Sequence, residues 1–222
     1  MSKGRIRWCA AILAVFSAVL TTAAPVGVAP VASAAACPDA EVIFARGRME
    51  PPGAGQIGNA LVTALRQKTK KNITLYSVNY PADTQIDMGA NDMSRRIQTT
   101  MTNCPKTPIV LGGYSLGAAA TDVVLAMPFP ILNFKLPLPA TASPHIVAIA
   151  LFGNGIQWVA PITQFNPAFQ SRTIELCHGN DPICNPTDME NWQTYWPEHL
   201  APAYIKAGMV NKAANFVAGK LV

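Results

Sequence analysis

The sequence predicts an α/β fold: an open, mostly parallel sheet of five strands with helices on both faces. Three observations lead there. Five short apolar runs rich in β-branched residues alternate with longer stretches of helical periodicity. The runs are continuous rather than alternating, as strands covered on both faces require. And the stretch "LGGYSLGAAA", residues 111–120, puts glycines on either side of Ser115 between a strand-like and a helix-like run. By composition alone such a G-x-S-x-G pattern arises in roughly one of ten chains this long, so its context has to decide its meaning.

The chain opens with Lys3, Arg5 and Arg7, an apolar run over 8–20, and small residues ending in "VASAAAC". These are the basic, apolar and cleavage regions of a signal peptide, expected over residues 1–36. An uncleaved N-terminal anchor is the alternative, although the run is short for a membrane span. A single domain is expected over 37–222, long enough for one well-buried core. Three of the 17 basic residues fall in the leader, which leaves 14 against 12 acidic ones. No basic stripe interleaved with aromatics appears, so nucleic acid is not an implied partner.

The expected strands are 42–45 (VIFA), 73–78 (ITLYSV), 109–111 leading into the glycine-rich stretch, 146–152 (IVAIALF) and 173–177 (TIELC). Between them, Ile57, Ala60, Leu61, Ala64 and Leu65 repeat at helical spacing, as do Met93, Ile97 and Met101. A helix follows Ser115 over 118–127, and another closes the chain. Residues 128–144, apolar and proline-rich, invite reading as a flap over the site. A helix that starts at Ser115 runs to the opposite end of the sheet, however, so this segment is expected to cover core or face a partner.

Four cysteines remain after the leader: Cys37, Cys104, Cys177 and Cys184. An even number in an exported chain reads as two disulfides. Cys37 and Cys104 precede the first and third strands. If those strands are parallel neighbours, both cysteines lie at one end of the sheet, and Cys37–Cys104 is the natural bond. Cys177–Cys184 then closes a tight loop after the fifth strand. Zinc is the competing reading, but no paired C-x-x-C is present.

Ligands of a parallel α/β sheet meet the loops beyond the carboxyl ends of its strands. Ser115 lies there, in the strand–turn–helix setting of a nucleophile elbow. A serine nucleophile needs a base, and the base needs an orienting group. Of the three histidines, His145 opens a strand and lies at the wrong end, and His178 is confined by the small cysteine loop. His199, after a loop and before the last helix, is free to reach back over the sheet. Asp181 in "CHGNDPIC" follows the last strand and is the expected acid, with Asp188 and Glu198 in reserve. The order Ser115, Asp181, His199 is that of α/β hydrolases.

"CPDAEVIFARG", "GGYSLGA", "CHGNDPIC" and "PEHLAPAY" together resemble the cutinase family of serine esterases, in particular its secreted mycobacterial, cutinase-like branch. The resemblance spans residues 37–222. It implies an α/β-hydrolase sheet of five strands in the order 2-1-3-4-5, two disulfides, and cofactor-free hydrolysis of carboxylic esters. It places Ser115, Asp181 and His199 on the family's triad. Oxyanion donors are expected from the backbone N–H groups of Leu116 and of Arg48, in the loop after the first strand. At Arg48 the chain departs from the family's usual small hydroxyl residue. The guanidinium either slows turnover, selects substrates with a nearby anionic group, or points to solvent and leaves the main chain to act alone.

An apolar groove for the acyl chain is expected from Ile156, Trp158, Val159, Ile162 and Trp196. The leading expectation is a secreted, monomeric carboxylic-ester hydrolase for medium or longer acyl esters. It would act on an ester or lipid, free or at a lipid surface, outside the cell or associated with the cell wall, with no metal and no stable membrane span after leader cleavage. Phospholipase A, thioesterase and acyltransferase activities are alternatives with the same chemistry. A weakly active or inactive hydrolase kept as a lipid- or wall-binding protein is the alternative of another class.

Overall fold

A computed structural model describes residues 36–159 and 161–221; the expected signal peptide lies, but for its last residue, outside them. The five strands are β1 (Ala40–Ala45), β2 (Ile73–Ser77), β3 (Ile109–Tyr114), β4 (Ile146–Phe152) and β5 (Thr173–Leu176). All neighbouring pairs are parallel and the order is β2-β1-β3-β4-β5. The order reverses at β1, so the chain builds outward in both directions from a centre that carries the loops after β1 and β3.

Side chains alternate across β1. Val42 and Phe44 pack under α1 (Gly55–Thr69), while Ile43 and Ala45 pack under α2 (Ile86–Asn103) and α3 (Leu116–Ala126). Both faces of the strand are therefore covered, which explains a run with no polar residue between Val42 and Ala45. Farther along lie α4 (Ile162–Phe165), α5 (Trp192–His199), α6 (Ala201–Lys206) and α7 (Met209–Ala218). α7 joins α1 on the first face through Val210, Ala213, Ala214 and Val217.

Both disulfides form as expected, Cys37–Cys104 and Cys177–Cys184. The cysteines are consumed as bonds and offer no thiolate ligands, which removes the zinc reading. The segment 128–144 packs against α2. Asn91 donates to the Asn133 carbonyl and accepts from the Lys135 amide, Ser94 donates to the Leu136 carbonyl, and Phe134 enters the core. It covers core and takes no part in the groove described below.

Candidate active site

Ser115 sits between β3 and α3 with φ of 53° and ψ of −116°, a left-handed conformation that a non-glycine residue adopts only where its surroundings impose it. The surroundings here are close. A Cβ on Gly113 would lie 2.3 Å from the Gly117 carbonyl oxygen, and one on Gly117 would lie 2.0 Å from the Ala45 carbonyl oxygen. Both positions need glycine because backbone fills the space. The Ser115 amide is tied to the Phe152 carbonyl at 2.8 Å, which anchors the turn to β4.

The structure brings Ser115, His199 and Asp181 together. Ser115 Oγ is 2.8 Å from His199 Nε2, and His199 Nδ1 is 2.7 Å from Asp181 Oδ2. His199 and Asp181 are buried, whereas Ser115 is half-buried. Asp181 also accepts the Ile183 amide on Oδ1 at 2.8 Å and the Tyr204 hydroxyl on Oδ2. Burial pushes the Asp181 carboxyl up, but its hydrogen bond and charge interaction with His199 and the bonds from Tyr204 and Ile183 outweigh that, and its pKa is lowered. The reserve acids are engaged elsewhere: Asp188 with Asn191, and Glu198 with the Asn180 amide.

His199 is positioned differently from the sequence expectation. Residues 192–199 form helix α5, and His199 is its last residue. Its ring stacks on Tyr114 at 5.5 Å between centroids and meets Trp196 at 5.0 Å. The Tyr114 hydroxyl donates to the His199 carbonyl. Gly153, at φ of 58°, lies beneath the pair: a Cβ there would stand 3.1 Å from His199 Cε1 and 3.2 Å from Asp181 Oδ2.

The loop after β1 is held on several sides. The Glu50 carboxylate accepts the Gly47 amide at 2.7 Å and the Gln56 amide at 2.9 Å. Arg46 donates to the carbonyls of Glu50 and Tyr80, and the Met49 amide donates to the Ala82 carbonyl at 2.8 Å. The loop therefore presents Arg48 from a fixed frame.

An open groove of about 380 Å³ runs over Ser115, Leu116 and His199. Of the expected acyl contacts, Ile156 and Trp196 line it, along with Arg48. Three others do not. Ile162 is fully buried in the core beneath α3, Val159 is 77% exposed away from the groove, and Trp158 turns its indole N–H to the Cys184 carbonyl at 3.1 Å. Ile86, Ile183 and Leu200 take their places. Those three come from separate segments, and no local pattern joins them. Tyr204 and Glu50 have no counterpart among the residues expected from the sequence. A tyrosine shortly after His199 was the available signal for the first.

Comparison with known proteins agrees with this architecture. The family model described as "Cutinase" matches residues 36–221. The chain belongs to the cutinase family. It is 59% identical over 212 residues to the probable carboxylesterase Culp2 of Mycobacterium bovis and Mycobacterium tuberculosis, covering 96% of this chain and 91% of the relative. It is 47% identical to phospholipase Culp4 of Mycobacterium tuberculosis over 214 residues, 95% and 90% of the two chains. Among solved structures, a Trichoderma reesei cutinase in complex with a phosphonate inhibitor aligns at TM-score 0.60 and 28% identity, over 84% of this chain and 78% of that one. A cutinase-like protein from Cryptococcus sp. shares the fold at TM-score 0.64 and 23% identity, over 86% and 98%. This cutinase-family chain is a serine carboxylic-ester hydrolase.

Proposed function

We propose that the protein is an exported esterase in which Ser115 is the nucleophile, His199 the general base and Asp181 the orienting acid, acting on esters of medium or longer acyl chains. The observation that carries the reading is the pair of contacts, 2.8 Å and 2.7 Å, linking serine to imidazole to carboxylate at the floor of an apolar groove. His199 Nε2 takes the Ser115 proton as Oγ attacks the ester carbonyl carbon. Asp181 holds the imidazole in the tautomer that presents a free Nε2, and supports its charge once protonated. Collapse of the tetrahedral intermediate breaks the bond to the alcohol, which leaves with the proton from His199. Water, activated by the same imidazole, then releases the acid from Ser115.

The developing oxyanion takes two backbone donors. Leu116 opens α3, where an amide has no acceptor within its own helix. The Arg48 amide likewise has no acceptor among the described residues. The acyl chain lies along Leu116, Ile156, Ile183, Trp196 and Leu200. The N-terminal leader and the two disulfides support export, where such bonds persist.

A fluorophosphonate probe tests the nucleophile. The oxidised protein should be labelled on Ser115, and Ser115→Ala should abolish both labelling and hydrolysis of a nitrophenyl ester. Labelling that survives the substitution would overturn the assignment. A series of nitrophenyl esters of increasing acyl length should give rising kcat/KM into the medium range; a maximum at acetate would exclude an extended acyl groove.

A further inference from the structure

We propose that the Arg48 side chain is an anion subsite, and that the preferred substrates are acyl esters whose alcohol part carries a phosphate or similar oxyanion. The inference rests on the esterase reading above and names the substrate class of the same groove. Six arginines lie among the described residues. Five of them have protein partners. Arg46 donates to two carbonyls, Arg66 to the Ile73 carbonyl, and Arg172 to the carbonyls of Ser143 and Ile146. Arg95 pairs with Asp92, and Arg96 with Glu41. Arg48 alone takes part in none of the ion pairs or side-chain hydrogen bonds found among the described residues, and it is exposed.

Its position gives that free guanidinium a meaning. Arg48 lines the groove that holds Ser115 and His199. No aspartate, glutamate, lysine or second arginine lines this groove. The neighbours of Arg48 on both sides are anchored, Gly47 by Glu50 and Met49 by Ala82, so its backbone is not free to drift away from the site. A guanidinium presents a planar fork of donors that matches phosphate or carboxylate oxygens in pairs. The rest of the lining is mostly apolar and suits the acyl chain. An anionic group therefore belongs to the alcohol part of the substrate. In a phosphorylated glycerol ester, only a few bonds separate the phosphate from the acyl carbonyl, a gap that an arginine on the oxyanion loop can span.

The test compares two soluble esters with the same short acyl group, a monoacylglycerol and its glycerol phosphate counterpart, in the oxidised full-length protein. Free acid release gives kcat/KM for each. The native protein should prefer the phosphate ester by about tenfold, the scale of a partly exposed charge-assisted pair. That preference should shrink as salt is added. Arg48→Gln should bring the ratio to about one, and Arg48→Lys should retain part of it. The ratio is internal to each variant, so a general loss of activity does not mimic the effect. An unchanged ratio in Arg48→Gln, or no preference in the native protein, overturns the proposal. A third substrate, the mononitrophenyl ester of a dicarboxylic acid, carries its anion on the acyl side; a stronger Arg48-dependent preference there overturns the assignment to the alcohol side. Failure of the esterase reading itself looks different, because neither ester is then hydrolysed and Ser115 is not labelled.

Discussion

The Tyr204 hydroxyl and His199 Nδ1 meet on the same oxygen of Asp181, Oδ2, in the buried floor of the site. Tyr204 is fully buried, its ring packs edge-on against Tyr114 and Phe152, and burial together with the neighbouring carboxylate holds its phenol well above the usual tyrosine range. It is therefore a committed donor to the carboxylate. Tyr204→Phe keeps the ring and removes one bond to a charged group. We expect kcat to fall about tenfold with KM little changed, because neither residue lines the groove. The acid limb of the rate profile should also shift to higher pH, since Asp181 loses one of the contacts that lower its pKa. Steady-state kinetics across pH check both; a profile identical to the native one would reduce Tyr204 to packing.

Asp181→Asn removes the charge while keeping the shape. The amide can present its N–H toward Nδ1 and so favour the wrong imidazole tautomer. A loss on the order of 10⁴-fold in kcat is expected, as for serine hydrolases built this way. A fluorophosphonate should still react, but slowly.

Glu50 holds the Gly47 and Gln56 amides through one carboxylate. Glu50→Ala frees the loop that carries Arg48. Displacement of one oxyanion donor costs about 10²-fold in kcat elsewhere, and a loosened donor should cost part of that. KM should move little. Thermal unfolding should show a folded protein, which separates this effect from global destabilisation.

The two disulfides should fail in different ways. Cys37–Cys104 closes 67 residues far from the groove, worth about 4 kcal/mol in the chain-entropy model. Its double serine variant should lose stability yet keep kcat/KM while folded. Cys177–Cys184 spans only 7 residues and is worth about 2 kcal/mol in the same model, but Asp181 lies inside its loop. Its removal should depress activity well before it unfolds the protein, as activity and circular dichroism measured side by side would reveal.

Asp122 on α3 and Glu175 on β5 share one amide donor, Asn154 Nδ2, at 2.6 and 3.2 Å. Burial pushes the Asp122 carboxyl up to about 8, with the Asn154 bond opposing and the Glu175 charge adding, and burial raises Glu175 as well. Between its ordinary value and about 8, Asp122 binds a proton in the folded protein but not in the unfolded chain. Its contribution to stability is therefore fully present at low pH and is lost as pH rises through that window. Asp122→Asn should flatten the decline in melting temperature across the same interval. A native profile that climbs there would contradict the sign.

Much of this was legible in the sequence, for reasons that differ by element. Strands such as 146–152 are buried on both faces and announce themselves as unbroken apolar runs. The glycines beside Ser115 mark a turn whose crowding is local, so the elbow could be read from ten letters. α5 could not, because Pro197 lies within it and its aromatic residues give no clear stripe, so His199 was expected on a loop. Trp158, Val159 and Ile162 share a short apolar segment, and nothing local says which of them turns inward. Ile162 fills the core and Trp158 caps a carbonyl, while the groove recruits Ile86, Ile183 and Leu200 from elsewhere. Glu50 and Tyr204 act through contacts that only the folded chain creates.

The topology also sets an order of events. Ser115 directly follows β3 at the middle of the sheet, whereas Asp181 and His199 follow β5 at its edge. As the chain emerges from its N-terminus, Ser115 is delivered first and His199 last. With the proposed triad, a nascent or truncated chain that stops after β4 carries the elbow without its proton acceptor and should be inert. On that assignment hydrolytic competence should be acquired only when the final strand and the helices beyond it have docked, which would make turnover a reporter of finished folding.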